Sequence, residues 1–352
     1  MAHFLRKPGS HSSRRRLNLA TLVLIIGILI LAISCGTDDG SQQQGASEEG
    51  QGNSTGDGYA SINVENCGIE QSFEQPPQRV ITMNQHATEM MLALGLQERM
   101  VGTAFMDNEI HPNLAEEYEQ VPVLSEQYPS QEAVLGEEPD FVFAGFSSAF
   151  ENEAAGSREE LHELGISTYL STEYCNEDEA VSFGQVYEDI RNIGEIFGVQ
   201  GRADELVGQM QNTLQETARA VEDVEEPVTV ANLGTSGNSA SAAGANTVAN
   251  EVIEAAGAEN AFADLDQRRT EVSWEEVVAR DPDVILVDYC CGTSYEEARQ
   301  ELEEVPQLSE TTAVQENNYA RLGLTNLVTG VRNAEAARDL AEQLYPEEFE
   351  GQ

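Results

Sequence analysis

The pattern Glu-x6-Pro-Asp, followed by an apolar strand, occurs once in each half of this chain and puts a carboxylate at the same point of two similar segments. The copies are SQEAVLGEEPDFVFAG, with Glu132 seven residues before its proline, and SWEEVVARDPDVILVD, with Glu275 at the same distance. Each copy predicts a short helix that leads into a buried strand, because the apolar run after Pro-Asp is too short for a helix. The repeat predicts two α/β lobes, and paired lobes commonly bind a ligand between them.

Catalytic chemistry finds little support in the residue pattern. Outside the N-terminal segment the histidines are His86, His111 and His162, and none belongs to a Ser-His-Asp, phosphate-loop or paired-carboxylate motif. A bare metal ion would need several His and acidic ligands from both halves, but the second half has no histidine. We therefore expect a binding protein without enzymatic activity, cofactor or metal site, with His86 as a haem ligand kept as an alternative.

The first 34 residues have the composition of an export signal. They contain five basic residues and no acidic one, and an apolar run extends from residue 17 to residue 33. This order is typical of a secretory signal peptide. The sequence LAISC, which ends at Cys35, resembles a bacterial lipobox, although Ala32 stands where leucine is usual. We expect residues 1–34 to be a signal peptide and Cys35 to be lipidated; an ordinary cleaved signal and twin-arginine export stay open.

The next segment, residues 35–58, is predicted to be a flexible tether. After Cys35 it has no aromatic or branched aliphatic side chain, so it cannot bury enough surface to order itself. A lipid anchor with such a tether would hold a folded domain at the outer face of the cell membrane without embedding it.

The part of the chain beyond the signal is strongly acidic. Removing the five basic residues of the signal takes the net charge from −45 to about −50, and no lysine remains. Nucleic acid is excluded as a partner, because two polyanions repel each other. The acidity fits a high-salt habitat or a high-GC genome. It is therefore better evidence about the environment of the protein than about its ligand.

Four cysteines follow Cys35, namely Cys67, Cys175, Cys290 and Cys291. An even number in an exported chain favours disulfides. Cys67 and Cys175 both fall in the first lobe, and we expect them to pair. Cys290 and Cys291 directly follow a predicted strand, where they would form a vicinal disulfide or face the cleft as thiols.

Strand and helix patterns alternate along the chain, which predicts parallel sheets. The first lobe, residues 59–200, is expected to have strands near 100–105, 141–145 and 167–170 and helices near 87–96, 130–137 and 157–164. A linking helix is expected over 201–224. The second lobe, residues 225–352, is expected to have strands at 227–232, 284–288 and 318–322 and helices at 247–256, 273–279, 294–304 and 331–344.

Four blocks, in this order, resemble a known family: QRVITMNQHATEMMLALGLQERMVGTA, VPVLSEQYPSQEAVLGEEPDFVFAG, ANEVIEAAGAENAFADL and EVSWEEVVARDPDVILV. They are similar to the solute-binding proteins of ABC importers for ferric siderophores, haem and cobalamin, and the resemblance covers residues 60–346. It implies an α/β fold of two parallel-sheet lobes flanked by helices, joined by one long rigid helix, with the ligand cleft between the lobes. Closure would be small.

The resemblance also gives the repeated glutamates a role. In the family one surface acid per lobe pairs with arginines on the two permease subunits, and by position these acids are Glu132 and Glu275. The alternative is that each glutamate is an ordinary helix-start residue, which only interacts favourably with the dipole of its helix. Because the two helices precede the strands, we expect both glutamates to lie away from the carboxyl ends that form the cleft.

Ligand-contacting residues are expected just past the carboxyl ends of the strands. Aromatic side chains there would give flat apolar walls, and arginines would neutralise ligand oxygens. The candidates are Asn84, His86, Phe105, Phe146, Tyr174, Ser236, Arg268, Arg269, Tyr289, Asn326 and Arg332.

The sequence therefore predicts a monomeric, lipid-anchored solute-binding protein that delivers an iron-siderophore chelate to an ABC permease dimer with its ATPase. The alternatives within this class are cobalamin or another corrinoid, and a deazaflavin coenzyme precursor, which TMNQHATEMMLALGL and TGVRNAEAARDLAEQL suggest by resemblance. The alternative of a different class is a membrane-tethered receptor or adhesion module without a transport role.

Overall fold

The computed structural model describes residues 59–151, 153–176 and 179–350. The predicted signal peptide, the lipidated Cys35 and the tether lie outside these residues. Within them, none of the helices combines the length and the apolar character that a membrane span requires.

The first lobe is a five-stranded parallel sheet preceded by a β-hairpin. The hairpin consists of β1 (Ile62–Asn66) and β2 (Ile69–Phe73). The sheet has the order β5-β4-β3-β6-β7, with β3 (Val80–Met83), β4 (Met100–Ala104), β5 (Val123–Ser125), β6 (Phe141–Ala144) and β7 (Ser167–Leu170). Its helices are α1 (Gln85–Ala93), α2 (Ala115–Tyr118), α3 (Gln131–Gly136), α4 (Arg158–Glu163) and α5 (Phe183–Ile196).

The linking helix is α6 (Gln200–Ala220), whose 21 residues span about 30 Å. It lies against α5, and the two backbones approach so closely that a Cβ at Gly194 would meet the Cβ of Ala203 at 2.5 Å. A helix held this tightly along its side gives the lobes a stiff connection.

The second lobe is a mixed sheet in the order β11-β9-β8-β12-β13, with a short sixth strand beside β8. The strands are β8 (Thr229–Ser236), β9 (Ser239–Ala243), β10 (Glu259–Asn260), β11 (Arg269–Val272), β12 (Val284–Tyr289) and β13 (Tyr319–Gly323). The helices are α7 (Val248–Ala255), α8 (Trp274–Arg280), α9 (Tyr295–Glu303), α10 (Thr312–Glu316) and α11 (Asn333–Leu344).

The central strands of both sheets are covered on both faces, which is why β6 is continuously apolar and β3 and β12 are mostly apolar. In β3, Val80 packs in one core cluster and its neighbour Ile81 in another, and both side chains are fully buried. In β12, Leu286 and its neighbour Val287 likewise pack in two different core clusters. The prediction of two α/β lobes with parallel strands is confirmed.

The Pro-Asp repeat has the same structural role in each lobe. Asp140 accepts hydrogen bonds from the backbone nitrogens of Gln78 and Arg79, both at 2.8 Å, and so joins the start of β6 to the start of β3. Asp283 accepts from the nitrogen and hydroxyl of Thr229, at 2.7 and 2.8 Å, and so joins β12 to β8. The aspartate of each repeat therefore fixes the register of the central strand pair.

The second lobe contains three strands that the sequence pattern does not predict. β9 (SASAA) pairs antiparallel with both β8 and β11, and β10 has only two residues. Small and polar residues give these segments little β propensity, so their pairing depends on neighbouring strands.

Two disulfides are present in the described part of the chain. One joins Cys67, in the turn of the β1–β2 hairpin, to Cys175, just after β7, across a sequence separation of 108 residues. The other joins the adjacent residues Cys290 and Cys291, immediately after β12.

Candidate ligand-binding cleft

The cleft lies where the carboxyl ends of the two sheets meet, and it holds two cavities. The first, of about 660 Å³, is lined from the first lobe by residues 106–110 after β4 and from the second lobe by residues 289–296 after β12. The second, of about 550 Å³, is lined by Phe146 and Tyr174 of the first lobe and by residues 266–269 of the second. Both volumes suit a small-molecule ligand.

Direct contacts join the lobes beside the first cavity. The side-chain oxygen of Asn108 accepts hydrogen bonds from the nitrogen and hydroxyl of Thr325, both at 3.1 Å. The carbonyl of Asp107 accepts from the nitrogen of Cys291 at 2.7 Å. The lobes therefore touch each other at the first cavity, and the vicinal disulfide forms part of its wall.

Aromatic rings form one wall of the second cavity. Phe146 and Tyr174 meet edge to face, with ring centroids 5.0 Å apart. The guanidinium of Arg268 lies 5.4 Å from the centroid of the Tyr174 ring. Apolar side chains from Leu324, Leu327 and Val328 complete this wall, so the second cavity offers flat and apolar contacts.

A buried ion pair joins the lobes beside the first cavity. The Nε of Arg332 donates to Oε2 of Glu89 at 2.6 Å, and its Nη2 donates to Oε1. The Glu89 side chain is completely buried, and Arg332 is 11% exposed. Such a bidentate contact fixes both position and orientation.

A second interlobe ion pair lies beside the second cavity. Nη1 of Arg268 lies 3.9 Å from Oε1 of Glu173, and Oε2 of Glu173 accepts from the nitrogen of Thr329 at 3.0 Å. Burial raises the pKa of Glu173, and the hydrogen bonds from Thr329 and the charge of Arg268 act in the opposite direction. Within the second lobe, Arg269 pairs with Asp288 at 2.9 Å.

Most of the candidate residues reach the cleft. Those that line one of the two cavities are Phe146, Tyr174, Arg268, Arg269, Tyr289, Asn326 and Arg332. The carboxyl-end rule for parallel strands is sufficient to place them.

Four candidates lie elsewhere. Asn84 is buried and uses its amide to hold the Tyr128 hydroxyl and the nitrogen of Phe146. Phe105 stacks on Tyr128, with ring centroids 4.5 Å apart.

Ser236, in the second lobe, ends β8 in a hairpin turn, and its hydroxyl donates to Glu271 at 2.7 Å. β8 continues into an antiparallel partner, so its end extends into the hairpin and Ser236 lines neither cavity.

His86, the fourth, lies behind the cavity wall. It is 1% exposed, and its ring packs against Phe146 with centroids 4.9 Å apart. A side chain at Gly145 would collide with it, since a Cβ there would lie 2.1 Å from Nε2. Burial lowers the pKa of His86 to about 4, so the ring is uncharged at neutral pH. His86 packs against Phe146 on the side away from the second cavity and lines neither cavity.

Two acids of the cleft were not predicted from the sequence. Neither Glu89 nor Asp107, whose pKa burial raises to about 6, was a candidate. One signal was available, because Glu89 interrupts the apolar run of α1 and an acid there must be paired if the helix is buried. Its partner Arg332 is 243 residues away in sequence, so no local pattern indicates it. Within the described residues no cluster of three or more His, Cys, Asp or Glu could hold a metal ion.

Glu132 and Glu275 occupy matching positions. Each is exposed and is the second residue of its helix, after a serine N-cap, Ser130 for α3 and Ser273 for α8. The expectation that both glutamates lie away from the carboxyl ends of the strands was wrong. A helix between parallel strands runs back from their carboxyl edge, so the first turns of α3 and α8 lie at the edge of the cleft. Neither glutamate lines a cavity.

Two similar lobes, a stiff linking helix and a cleft at the strand ends define a solute-binding protein. A family model for periplasmic binding proteins matches residues 80–323. The chain belongs to this family.

Relatives agree with that class. An uncharacterised ABC transporter substrate-binding lipoprotein of Bacillus subtilis, YvrC, is 28% identical over 283 residues, which cover 79% of this chain and 83% of that protein. A cobalamin-binding protein of Halobacterium salinarum is 29% identical over 222 residues, 61% of this chain and 55% of that protein.

Solved structures are similar as well. A periplasmic binding protein of Veillonella parvula has a TM-score of 0.73 at 28% identity, covering 81% of this chain and 98% of that one. A protein of the Fe3+-hydroxamate transport system of Saccharomonospora viridis has a TM-score of 0.70 at 25% identity, covering 81% and 99%. The chain is thus an extracytoplasmic solute-binding protein of the ABC transporter class.

Proposed function

We propose that this protein is a lipid-anchored solute-binding protein that delivers a metal chelate of the ferric siderophore type to an ABC importer. The observation that carries the proposal is the cleft between the lobes, with cavities of about 660 and 550 Å³, one of them walled by Phe146 and Tyr174. A chelate presents a bulky, partly apolar surface, which aromatic walls can cover. Similarity to a protein of an Fe3+-hydroxamate transport system supports this ligand class.

A corrinoid is the second candidate, and a specific observation favours it. The relatives include the cobalamin-binding protein of Halobacterium salinarum and a vitamin B12-binding protein of Vibrio campbellii, 26% identical over 214 residues. A corrinoid is larger than most siderophores and would have to occupy both cavities. The contacts that Asn108 and Asp107 make between the lobes would then have to open.

The aromatic wall gives the first test of the site. We expect the double substitution Phe146→Ala and Tyr174→Ala to weaken ligand binding at least about tenfold, because each ring supplies a large apolar contact area. Calorimetric titration of the mature domain with a ferric trihydroxamate and with cyanocobalamin measures the effect. Tyr118→Ala, at the end of α2 and outside both cavities, is the matched control. Unchanged affinity in the double variant would place the ligand elsewhere.

The anchor is proposed from the sequence alone. The apolar run before Cys35 and the lipobox-like LAISC support lipidation at this residue. We expect Cys35→Ser to release the protein from membranes or to stall its processing. Detergent-phase partitioning and the size of the mature band provide the readout. A mutant that reaches mature size and still enters the detergent phase would contradict lipidation at Cys35.

We further propose that a monomer docks on an ABC permease dimer through Glu132 and Glu275. Their support is the matched geometry: both are exposed and lie on the first turn of equivalent helices, at the edge where the cleft opens. Two like charges on two lobes suit a pair of basic pockets related by the symmetry of a permease dimer.

A further inference from the structure

We infer that the cleft selects an uncharged or cationic chelate and rejects an anionic one, with Glu89 as the residue that sets this selectivity. The inference rests on the proposed function and narrows its ligand class. Three of the four arginines that line the cavities are already neutralised by carboxylates of the protein.

Arg332 uses its Nε and Nη2 for Glu89 and the surroundings of Glu89. Besides the two bonds to the carboxylate, its Nη2 donates to the carbonyl of Glu109 at 2.8 Å. Oε1 of Glu89 also accepts from Nε2 of Gln85 at 2.9 Å and from the nitrogen of His111 at 3.0 Å. An anionic ligand that captured Arg332 would leave Glu89 buried without its counter-charge, and an uncompensated buried charge is strongly unfavourable.

The arginines of the second cavity are committed as well. Arg269 uses Nη1 for Asn232 at 3.0 Å, Nε for Ser241 at 3.2 Å and Nη2 for Asp288 at 2.9 Å. Arg268 gives Nη2 to the carbonyls of Glu173 and Asn176. Its Nε and Nη1 make no hydrogen bond, but both atoms are buried, so neither is presented to a ligand.

The remaining charges around the cavities also disfavour an anion. Five acids line the two cavities against four arginines: Asp107, Glu109, Glu173, Asp266 and Glu296 against Arg268, Arg269, Arg321 and Arg332. Within the described residues Arg321 has no carboxylate partner; its guanidinium lies 5.8 Å from the centroid of the Tyr295 ring. The net charge of −45 on the whole chain adds a repulsive field for any anion that approaches.

This electrostatic arrangement separates the chelate classes by chemistry. Ferric trihydroxamates and corrinoids are uncharged or carry a positive group. Ferric tris-catecholates carry excess negative charge, and haem carries two carboxylates. Amide and hydroxamate oxygens can accept hydrogen bonds without needing an unpaired arginine.

The test is calorimetric titration of the mature domain with probes that differ in charge. The probes are ferrichrome (uncharged), ferrioxamine B (cationic), cyanocobalamin (uncharged), ferric enterobactin (anionic) and haemin (anionic). We expect at least one uncharged or cationic probe to bind about tenfold or more tightly than either anion. Anion binding that equals or exceeds the others would overturn the inference and leave the proposed function standing. Binding of no probe would overturn both.

Glu89→Gln tests the residue directly. The substitution frees Arg332, so we expect affinity for ferric enterobactin or haemin to rise at least about tenfold relative to the uncharged probes. The matched control is Glu335→Gln, since Glu335 also bridges the lobes, through His111 at 2.8 Å, but is 55% exposed. We expect no change in selectivity in the control. Unaltered selectivity in a folded Glu89→Gln variant would contradict the role of Glu89.

A second variant covers the case in which Glu89→Gln does not fold. The double substitution Glu89→Gln and Arg332→Gln removes both charges and leaves no unpaired buried ion. We expect it to keep the selectivity of the wild type within about threefold, because the charge of Arg332 is already balanced by Glu89 in the wild type. Loss of anion binding alone in this variant would show that Arg332 binds the ligand, and would overturn the inference.

Discussion

Reversing the charge of both repeat glutamates, with Glu132→Arg and Glu275→Arg, is expected to abolish uptake while the fold and the ligand affinity remain intact. Both residues are exposed, and first-turn surface positions tolerate arginine at roughly 1 kcal/mol or less. Neither lines a cavity, so ligand affinity should stay within about twofold. In the complex each new arginine would face an arginine of the permease, and like charges at an interface cost several kcal/mol.

The measurement is ligand uptake into proteoliposomes that contain the permease and ATPase, with calorimetric binding run in parallel. Single reversals should give intermediate rates, because each one disables one half of a pseudo-symmetric contact. Glu159→Arg is a matched control, since Glu159 is also an exposed second residue after a serine N-cap, in α4. Normal uptake by the double variant would make both glutamates ordinary helix-start residues, and loss of ligand binding would make them part of the cleft.

Removing the Cys67–Cys175 disulfide is expected to lower the free energy of unfolding by about 4 kcal/mol. The two residues are 108 apart in sequence, so the bond restricts a long loop of the unfolded chain. It also fastens the β1–β2 hairpin to the first-lobe sheet. Cys67→Ala with Cys175→Ala should therefore reduce stability far more than a typical surface substitution.

Denaturant unfolding of the oxidised mature domain measures this loss. The vicinal pair provides the control, because Cys290→Ala with Cys291→Ala removes a bond between adjacent residues and opens no long loop. Recovery of Cys67 and Cys175 as free thiols from protein made in an oxidising compartment would contradict the cross-link. Equal losses for the two double variants would contradict its entropic explanation.

Sequence patterns were sufficient for most of the parallel core of each lobe, but they did not predict the edge strand β5. Apolar runs after Pro-Asp predicted the buried strands β6 and β12, and a long helical pattern predicted the linking helix α6. The strands β9, β10 and β11 were missed because most of their residues are small or polar, and their strand conformation depends on pairing, of β9 and β10 with β8 and of β11 with β9. Tertiary contacts decide such segments, and local propensity does not.

The candidate site also has features that local sequence predicts and features that depend on tertiary contacts. Strand ends located most of the aromatic and arginine residues that line the cavities. What the sequence could not provide was the charge state of the cleft, since Arg332 and Arg268 meet Glu89 and Glu173 only in the folded chain. The arginines expected to neutralise a ligand instead neutralise the protein's own acids. Trp274 lies in the core of the second lobe, 6% exposed and outside both cavities, so its fluorescence is a poor reporter of binding.

A binding experiment shows whether this protein is a receptor for a metal chelate. The measurement is isothermal titration calorimetry of the mature domain, residues 59–352, with a ferric trihydroxamate and with cyanocobalamin at physiological and high salt. We expect one-to-one binding of at least one of these ligands with a dissociation constant of about 1 μM or less. Absence of binding by both ligands at both salt concentrations, in protein shown to be folded, would contradict the claim that this is a solute-binding protein for a metal chelate.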